Sequence, residues 1–322
     1  MTNINDMRPS YDKEPTNVIA GACRPIVYPK SRKVYSMSET PQFQFDALMP
    51  AEMAKKAEDV GVYKATKQPL TTFVLAITAG AFIGIAFIFY TVVTNGNGDI
   101  GWGANKFIGG LAFSLGLMLV VVNGGDLFTS TVLTVVAKAS KKITWGQLGK
   151  NWVIVYAGNF VGAIGLVVIM QIAQHYEQGN GSLGLNYMHV AQHKLHHGFF
   201  QAVALGAMCN VMVCLGVWMS YAGRSVTDKL LAVTLPVAMF VASGFEHCVA
   251  NMFQIPMAIM TKTFAGPEFW AATGTTAADF ADLTWGHFVI NNLIPVTIGN
   301  IIGGGVLVGL IYWFTYLRPQ KH

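Results

Sequence analysis

The sequence predicts an all-α membrane protein whose six transmembrane helices form a 3+3 inverted repeat. Three observations carry that prediction. Apolar residues make up 53% of the 322-residue chain and charged residues 11%, with a mean hydropathy of +0.45. Soluble domains carry roughly a quarter charged residues. Two apolar stretches are each broken halfway by a short polar insert, Gly124-Gly125-Asp126-Leu127-Phe128-Thr129-Ser130-Thr131 and Ser243-Gly244-Phe245-Glu246-His247-Cys248-Val249-Ala250-Asn251. Lipid satisfies neither exposed backbone nor ionised side chains, so such breaks face protein or a water-filled cavity. Finally, motifs of the first half recur in order in the second.

The chain opens on a polar, proline-bearing tail over residues 1–42, expected to be mobile. Residues 43–68 form an amphipathic helix and entry segment. In its 43–60 part, Phe43, Phe45, Leu48, Met49, Met53, Ala57 and Val60 are set against Asp46, Glu52, Lys55, Lys56, Glu58 and Asp59. Such a helix lies on a membrane or under the mouth of a pore. The channel domain, 69–318, holds six apolar elements. The first, Leu70–Val93, is uncharged and long enough to span. The second runs Phe107–Asn123, breaks, and resumes to Ala137; the third is Trp152–Ile172 and the fourth Gly198–Tyr221. The fifth runs Leu230–Ser243, breaks, and resumes from Val249 to Met260, and the sixth is Phe288–Tyr316. Residues 319–322 end the chain. No cleavable leader pattern precedes the first span.

Loop charge gives the orientation. Outside the 1–42 tail, twelve basic residues lie before span one and after spans two, four and six, against three (Lys106, Lys194, Lys262) in the other loops. The positive-inside rule places both termini in the cytoplasm. Because the net charge of +5 resides in loops, it implies no nucleic-acid partner. Cys23, Cys209, Cys214 and Cys248 lack metal-type spacing and read as small apolar residues.

Gly158-Asn159-Phe160-Val161-Gly162 in span three matches Gly299-Asn300-Ile301-Ile302-Gly303 in span six, each preceded by a second asparagine, Asn151 and Asn292. Phe73 stands before Gly80-Ala81 as Phe199 stands before Gly206-Ala207. An odd number of spans per repeat inserts the halves with opposite orientation, and a pseudo-two-fold in the membrane plane then brings the breaks together. The recurring glycines let helix backbones approach closely. Thr129, Ser130 and Thr131 are expected to cap the first returning half-helix, and Asn251 the second. Two facing half-helix N-termini would favour a small anion. His247 is the sharpest residue, because a mid-membrane histidine needs a cavity and a partner, and it exchanges protons near neutrality. Glu246 and Asp126 read as braces of the two breaks, with Asn210 and Asn300 steadying either loop.

The run Gly61-Val62-Tyr63-Lys64-Ala65, both breaks, and Pro295-Val296-Thr297-Ile298-Gly299-Asn300-Ile301-Ile302-Gly303-Gly304-Gly305 together resemble the formate/nitrite transporter family over residues 43–318. Within it, Lys138-Ala139-Ser140, Trp145-Gly146-Gln147-Leu148 and Trp218-Met219-Ser220-Tyr221 read like the loops of the formate channels. The resemblance implies an aquaporin-like protomer in a homopentamer, with one pore per subunit, in the bacterial inner membrane. It places the family's central histidine on His247 and its threonine partner on Thr129. It puts the hydrophobic constrictions on Phe113, Leu117, Leu127, Phe128, Val213 and Phe240, residues for which core packing is otherwise the plainer reading. Lys64 and Lys194 fall on vestibule positions that draw anions. Formate or a similar small weak-acid anion is the expected partner, besides the protein itself and the bilayer; a formate-metabolising enzyme at the cytoplasmic tail is a candidate. Nitrite and hydrosulfide are alternative cargoes. No cofactor or metal is implied.

The expected mechanism follows from acidity. At pH 7 only about one simple carboxylic acid in a thousand is neutral, so the ion reaches the mouth and an apolar constriction rejects it. Thr129 and His247 would hydrogen-bond the ion, and His247 would lend a proton for the dry part. Gating at low pH by the 43–60 helix or by the glycine-rich 123–130 break is a second expectation. An enzyme is the first rival, with His189, His193, His196 and His197 its nearest approach to a metal site; these read better as solvated or helix-start histidines. A structural or receptor protein is the other rival, and it leaves the paired breaks unexplained.

Overall fold

The computed structural model describes residues 47–96 and 98–319. The tail at 1–42 with Cys23, the aromatic pair Phe43 and Phe45, and the end residues 320–322 lie outside the described residues. Among the described residues every regular element is helical.

Helix α1 (Pro50–Thr66) starts on a proline, whose missing N–H is no loss in the first turn, and Glu52 accepts the backbone N–H of Met49 at 2.8 Å. It buries Ala54, Ala57, Glu58 and Gly61. Glu58 is held by Lys55 at 2.6 Å and Lys142 at 3.0 Å, so α1 is pinned by charge as well as by its apolar face. Its helix runs past the expected residue 60 to Thr66, and Pro69 then opens α2 (Pro69–Thr94).

The remaining elements are α3 (Trp102–Asn123), α4 (Phe128–Ala139), α5 (Trp145–Ile172), α6 (Ser182–Leu195), α7 (Phe199–Ala222), α8 (Val226–Ala242), α9 (Cys248–Phe264), α10 (Pro267–Thr273) and α11 (285–317). Among the described residues, five helical segments are long and apolar enough to cross a membrane: α2, α3, α5, α7 and the segment containing α11. The fifth apolar stretch is divided into α8 and α9, each 17 residues long. Helix α5 starts at Trp145 rather than at the expected Trp152. Thr144 sets that start: its hydroxyl accepts Gln147 N–H while Gln147 reaches back to Thr144 N–H, a capping box that polarity alone does not reveal. Much of α11 is wound in π-helical turns, including Ile302–Leu310.

The two helix pairs that share sequence motifs pack at backbone distance. A Cβ on Gly162 would overlap the carbonyl oxygen of Ile77 in α2, and one on Gly80 that of Asn159 in α5. In the other half, a Cβ on Gly303 would overlap the carbonyl of Ala207 in α7, and one on Gly299 that of Val203. Bare backbone at these positions is what permits the approach.

Candidate functional site

Both breaks are built by one plan. Helix α3 ends at Gly124, left-handed at φ +78°, and α8 ends just before Gly244, φ +71°; a side chain would strain either turn. The chain then crosses to the first long helix of its own half: Asp126 N–H donates to Leu75 O at 3.1 Å, and Glu246 N–H to Leu205 O at 3.3 Å. An asparagine from the third long helix of each half closes the loop. Asn159 donates to Ala76 O and Asp126 O and accepts Phe128 N–H. Asn300 donates to Gly206 O and Glu246 O and accepts Cys248 N–H. In each break one amide side chain thus satisfies one buried N–H and one buried carbonyl and ties the loop to the neighbouring long helix.

The expected capping assignments are corrected here. The residue before α4 is Leu127, and Thr129, Ser130 and Thr131 lie inside its first turn. The residue before α9 is His247, and Asn251 lies inside that helix. Asn159 and Asn300 already take the first amide of each half-helix, so a hydroxyl cap is not needed. Asn251 instead donates to Glu246 at 2.7 Å and Asn292 at 2.7 Å.

His247 is 3% exposed, and its two nitrogens have different tasks. Nδ1 accepts the N–H of Ala250 at 3.0 Å, capping α9. A nitrogen accepting that bond carries no proton, so the ring proton sits on Nε2. Nε2 lies 3.0 Å from Thr129 Oγ1, and the geometry makes the imidazole the donor and the threonine the acceptor. The Thr129 hydroxyl retains its own proton for another partner. Thr129 is fixed from behind, its carbonyl accepting Asn210 Nδ2 at 3.0 Å and Cys214 Sγ at 3.3 Å. Asn210 also donates to Asn300 O at 2.6 Å, so one side chain ties the two halves together.

Apolar groups surround this polar pair. Phe113, Leu117, Leu127, Val213 and Phe240 line, with Ile83, Val237 and His247, a cavity of about 10 Å³, room for about one water. Phe240 stacks on His247 at 5.9 Å and meets Phe113 edge-on at 5.9 Å. Phe128, grouped with these residues on the sequence, is elsewhere: it meets Tyr156 at 4.8 Å and Trp152 at 6.2 Å in a lateral groove between α5 and α11. Leading to His247 from the α6 side is a vestibule of about 350 Å³ lined by Trp102, Lys106, His189, His193, Lys194, Phe113, Phe240 and Glu246 among others.

The two expected vestibule lysines occupy matching positions. Lys194 donates to Glu246 at 2.9 Å, and its carbonyl accepts Asn292. Lys64 lies 3.5 Å from Asp126, and its carbonyl accepts Asn151. Sequence reasoning missed Lys67, which holds Asp126 more closely, at 2.7 Å. It also missed the bonding role of Asn159, although the shared Gly-Asn-x-x-Gly motif was its signal. Among the described residues, no group of three or more His, Cys, Asp or Glu side chains is arranged to hold a metal ion.

Comparison with known proteins agrees with this construction. The family model described as formate/nitrite transporter matches residues 51–314. The formate channel FocA of Escherichia coli K12 is 61% identical over 278 residues, covering 86% of this chain and 98% of that protein. The formate channel FocA of Haemophilus influenzae is 47% identical over 273 residues, covering 85% and 96%. A solved structure described as a pentameric formate channel with formate bound superposes with a TM-score of 0.75 at 60% identity, covering 78% of this chain and 98% of that one. This chain is a member of the formate/nitrite transporter family.

Proposed function

We propose that the protein is a non-enzymatic channel that passes formate, a small monovalent carboxylate, through a pore in each protomer of a homopentamer. The six apolar elements act as a 3+3 inverted repeat in the bacterial inner membrane, with α1 on the cytoplasmic side. One observation carries the reading: a buried threonine–imidazole pair is the polar stop in a path otherwise lined by Phe113, Leu117, Leu127, Val213 and Phe240. The names of the relatives and of the structural neighbour support formate as the cargo.

An apolar constriction excludes a carboxylate by its desolvation cost. Thr129 O–H and His247 Nε2–H offset part of that cost by donating to the carboxylate oxygens. For the cargo to cross as the acid, a proton must come from an imidazolium, whose Nε2–H moves to a carboxylate oxygen and leaves neutral imidazole. Forming that imidazolium places Nδ1–H against the Ala250 N–H, so the α9 cap opens when the ring charges. Protonation and the geometry of the break are thereby linked.

The test is formate flux into proteoliposomes. Wild-type protein is expected to pass formate well above protein-free liposomes and to exclude sulfate. Thr129→Val, which keeps the shape and removes the donor, is expected to cut formate flux at least about tenfold, the loss of one charge-assisted hydrogen bond of about 1.5–3 kcal/mol. Equal flux with and without protein rejects the reading.

A further inference from the structure

The two mouths differ in charge although their frameworks match. On the α1 side, Asp126 faces two lysines, Lys67 at 2.7 Å and Lys64 at 3.5 Å, which leaves one fixed positive charge. On the α6 side, Glu246 faces one lysine, Lys194 at 2.9 Å, and the Nδ1 of His197 at 3.8 Å. That set is neutral while His197 is neutral, leaving Lys106, beside the Trp102 ring, as the remaining fixed cation lining the vestibule. Helix α6 also carries His189 and His193, spaced by four and hence on one face. Both are exposed and both line the vestibule.

We propose that His189 and His193 form a proton-dependent collecting site for small carboxylates at the α6-side mouth. An imidazole bears positive charge only in its protonated form, so protonating both rings takes the vestibule from about one free cation to about three. Their neighbours are compatible with this. The His189 ring meets Phe280 at 5.5 Å, and His193 meets His197 edge-on at 5.1 Å; among the described residues neither ring is paired with a carboxylate. Burial lowers the pKa of His197 despite Glu246 close by. His196 is spoken for by Asp282 at 2.8 Å, which Gln192 also holds. Around them, Lys262 is bound to Leu283 O, His287 to Asp282 O, and Asp279 to Thr276. Glu177 and His175 lie at the far end of α6. Glu246, already shared by Lys194 and His197, is the acidic group lining the vestibule, and it does not cancel the added charge. A concave, low-dielectric mouth focuses such charge on an entering anion.

This inference rests on the channel reading above, and its test separates the two. Initial rates of labelled formate uptake are measured in right-side-out membrane vesicles buffered inside at pH 7.5, less the uptake of vesicles lacking the protein. Lowering external pH from 7.5 to 5.5 at low ionic strength is expected to reduce the apparent KM roughly threefold or more, with the effect largely gone at 0.5 M salt. His189→Gln with His193→Gln is expected to keep the KM of pH 7.5 at both values. His193→Lys is expected to lower KM already at pH 7.5. An undiminished KM response in the double glutamine variant overturns the proposal, as does an unchanged KM in His193→Lys. Absence of protein-dependent uptake at either pH instead rejects the channel reading itself.

Discussion

Replacing Asn300 with alanine tests whether one amide side chain holds the second break together. The side chain donates to Gly206 O at 2.7 Å and Glu246 O at 2.9 Å and accepts Cys248 N–H at 2.9 Å, with the residue 0% exposed. Asn300→Ala leaves the Cys248 N–H and the Glu246 carbonyl buried without that partner; Gly206 O lies within α7 and keeps its helical bond. At about 1–3 kcal/mol for each newly unpaired group, the loss is about 3–5 kcal/mol after partial relaxation, a large share of a typical stability. At about 2–4 °C per kcal/mol for a chain of this order of size, the unfolding midpoint in detergent, followed by tryptophan fluorescence, is expected to fall by at least about 6 °C. Asn300→Asp should not rescue it, because a carboxylate keeps the bond to Cys248 and faces the two carbonyls without a proton. Asn159→Ala should behave likewise through Phe128 N–H, Ala76 O and Asp126 O. A midpoint for Asn300→Ala within about 2 °C of wild type would refute the reasoning, since desolvated backbone would then carry no penalty.

Other outcomes follow from the same contacts. Gly162→Ala and Gly303→Ala are each expected to lower the yield of folded protein sharply, because the new Cβ meets a helix carbonyl that cannot move aside; Gly165→Ala, where a Cβ meets nothing within 4 Å, is expected to be neutral in the same expression and gel-filtration assay. Burial alone would push the Glu58 carboxyl up, but hydrogen bonds from Lys55, Ser140 and Lys142 outweigh it and bring its pKa down to about 2 from 4.5. A carboxylate with a depressed folded pKa stabilises above its unfolded pKa and loses that contribution as pH falls through the folded one. Hydrogen exchange in α1 is therefore expected to be unchanged by Glu58 from pH 7 to pH 5 and to quicken progressively as the pH falls from 4.5 towards about 2. Release of α1 between pH 7 and pH 5 through Glu58 would contradict that assignment. Lys67→Met is expected to destabilise the first break more than Lys64→Met, read as the larger fall in midpoint, because Lys67 makes the shorter bond to Asp126.

The fold class and both breaks were legible because the bilayer punishes polar backbone so heavily that an interrupted apolar run has few explanations. The shared Gly-Asn-x-x-Gly motif was legible as a repeat, and it also named the asparagines that close the loops, a role visible only once Phe128 N–H and Cys248 N–H were seen to point at them. Capping was misread because hydroxyl residues near a helix start suggest caps, and nothing local reveals that an amide from a distant helix has taken the site. Helix starts at Trp102 and Trp145 came earlier than hydropathy suggested, since a glycine turn and the Thr144–Gln147 box fix them. Phe128 was placed on the constriction by the family resemblance; α4 turns it outward by one residue's rotation, toward Tyr156. The tautomer of His247 could not be read from sequence at all, because it depends on the bond from Ala250.

The central claim is that a single imidazole between apolar walls couples formate passage to protonation. Its most direct measurement is formate flux in proteoliposomes from pH 7.5 to pH 5 for wild type and His247→Asn, the latter keeping a donor for Thr129 while being unable to take up a proton. The account predicts that at saturating formate and 0.5 M salt, where charge at the mouth is screened, wild-type flux, corrected for leak through protein-free lipid, varies with pH and that the variant's does not. A variant whose flux matches wild type in both size and pH dependence would contradict it.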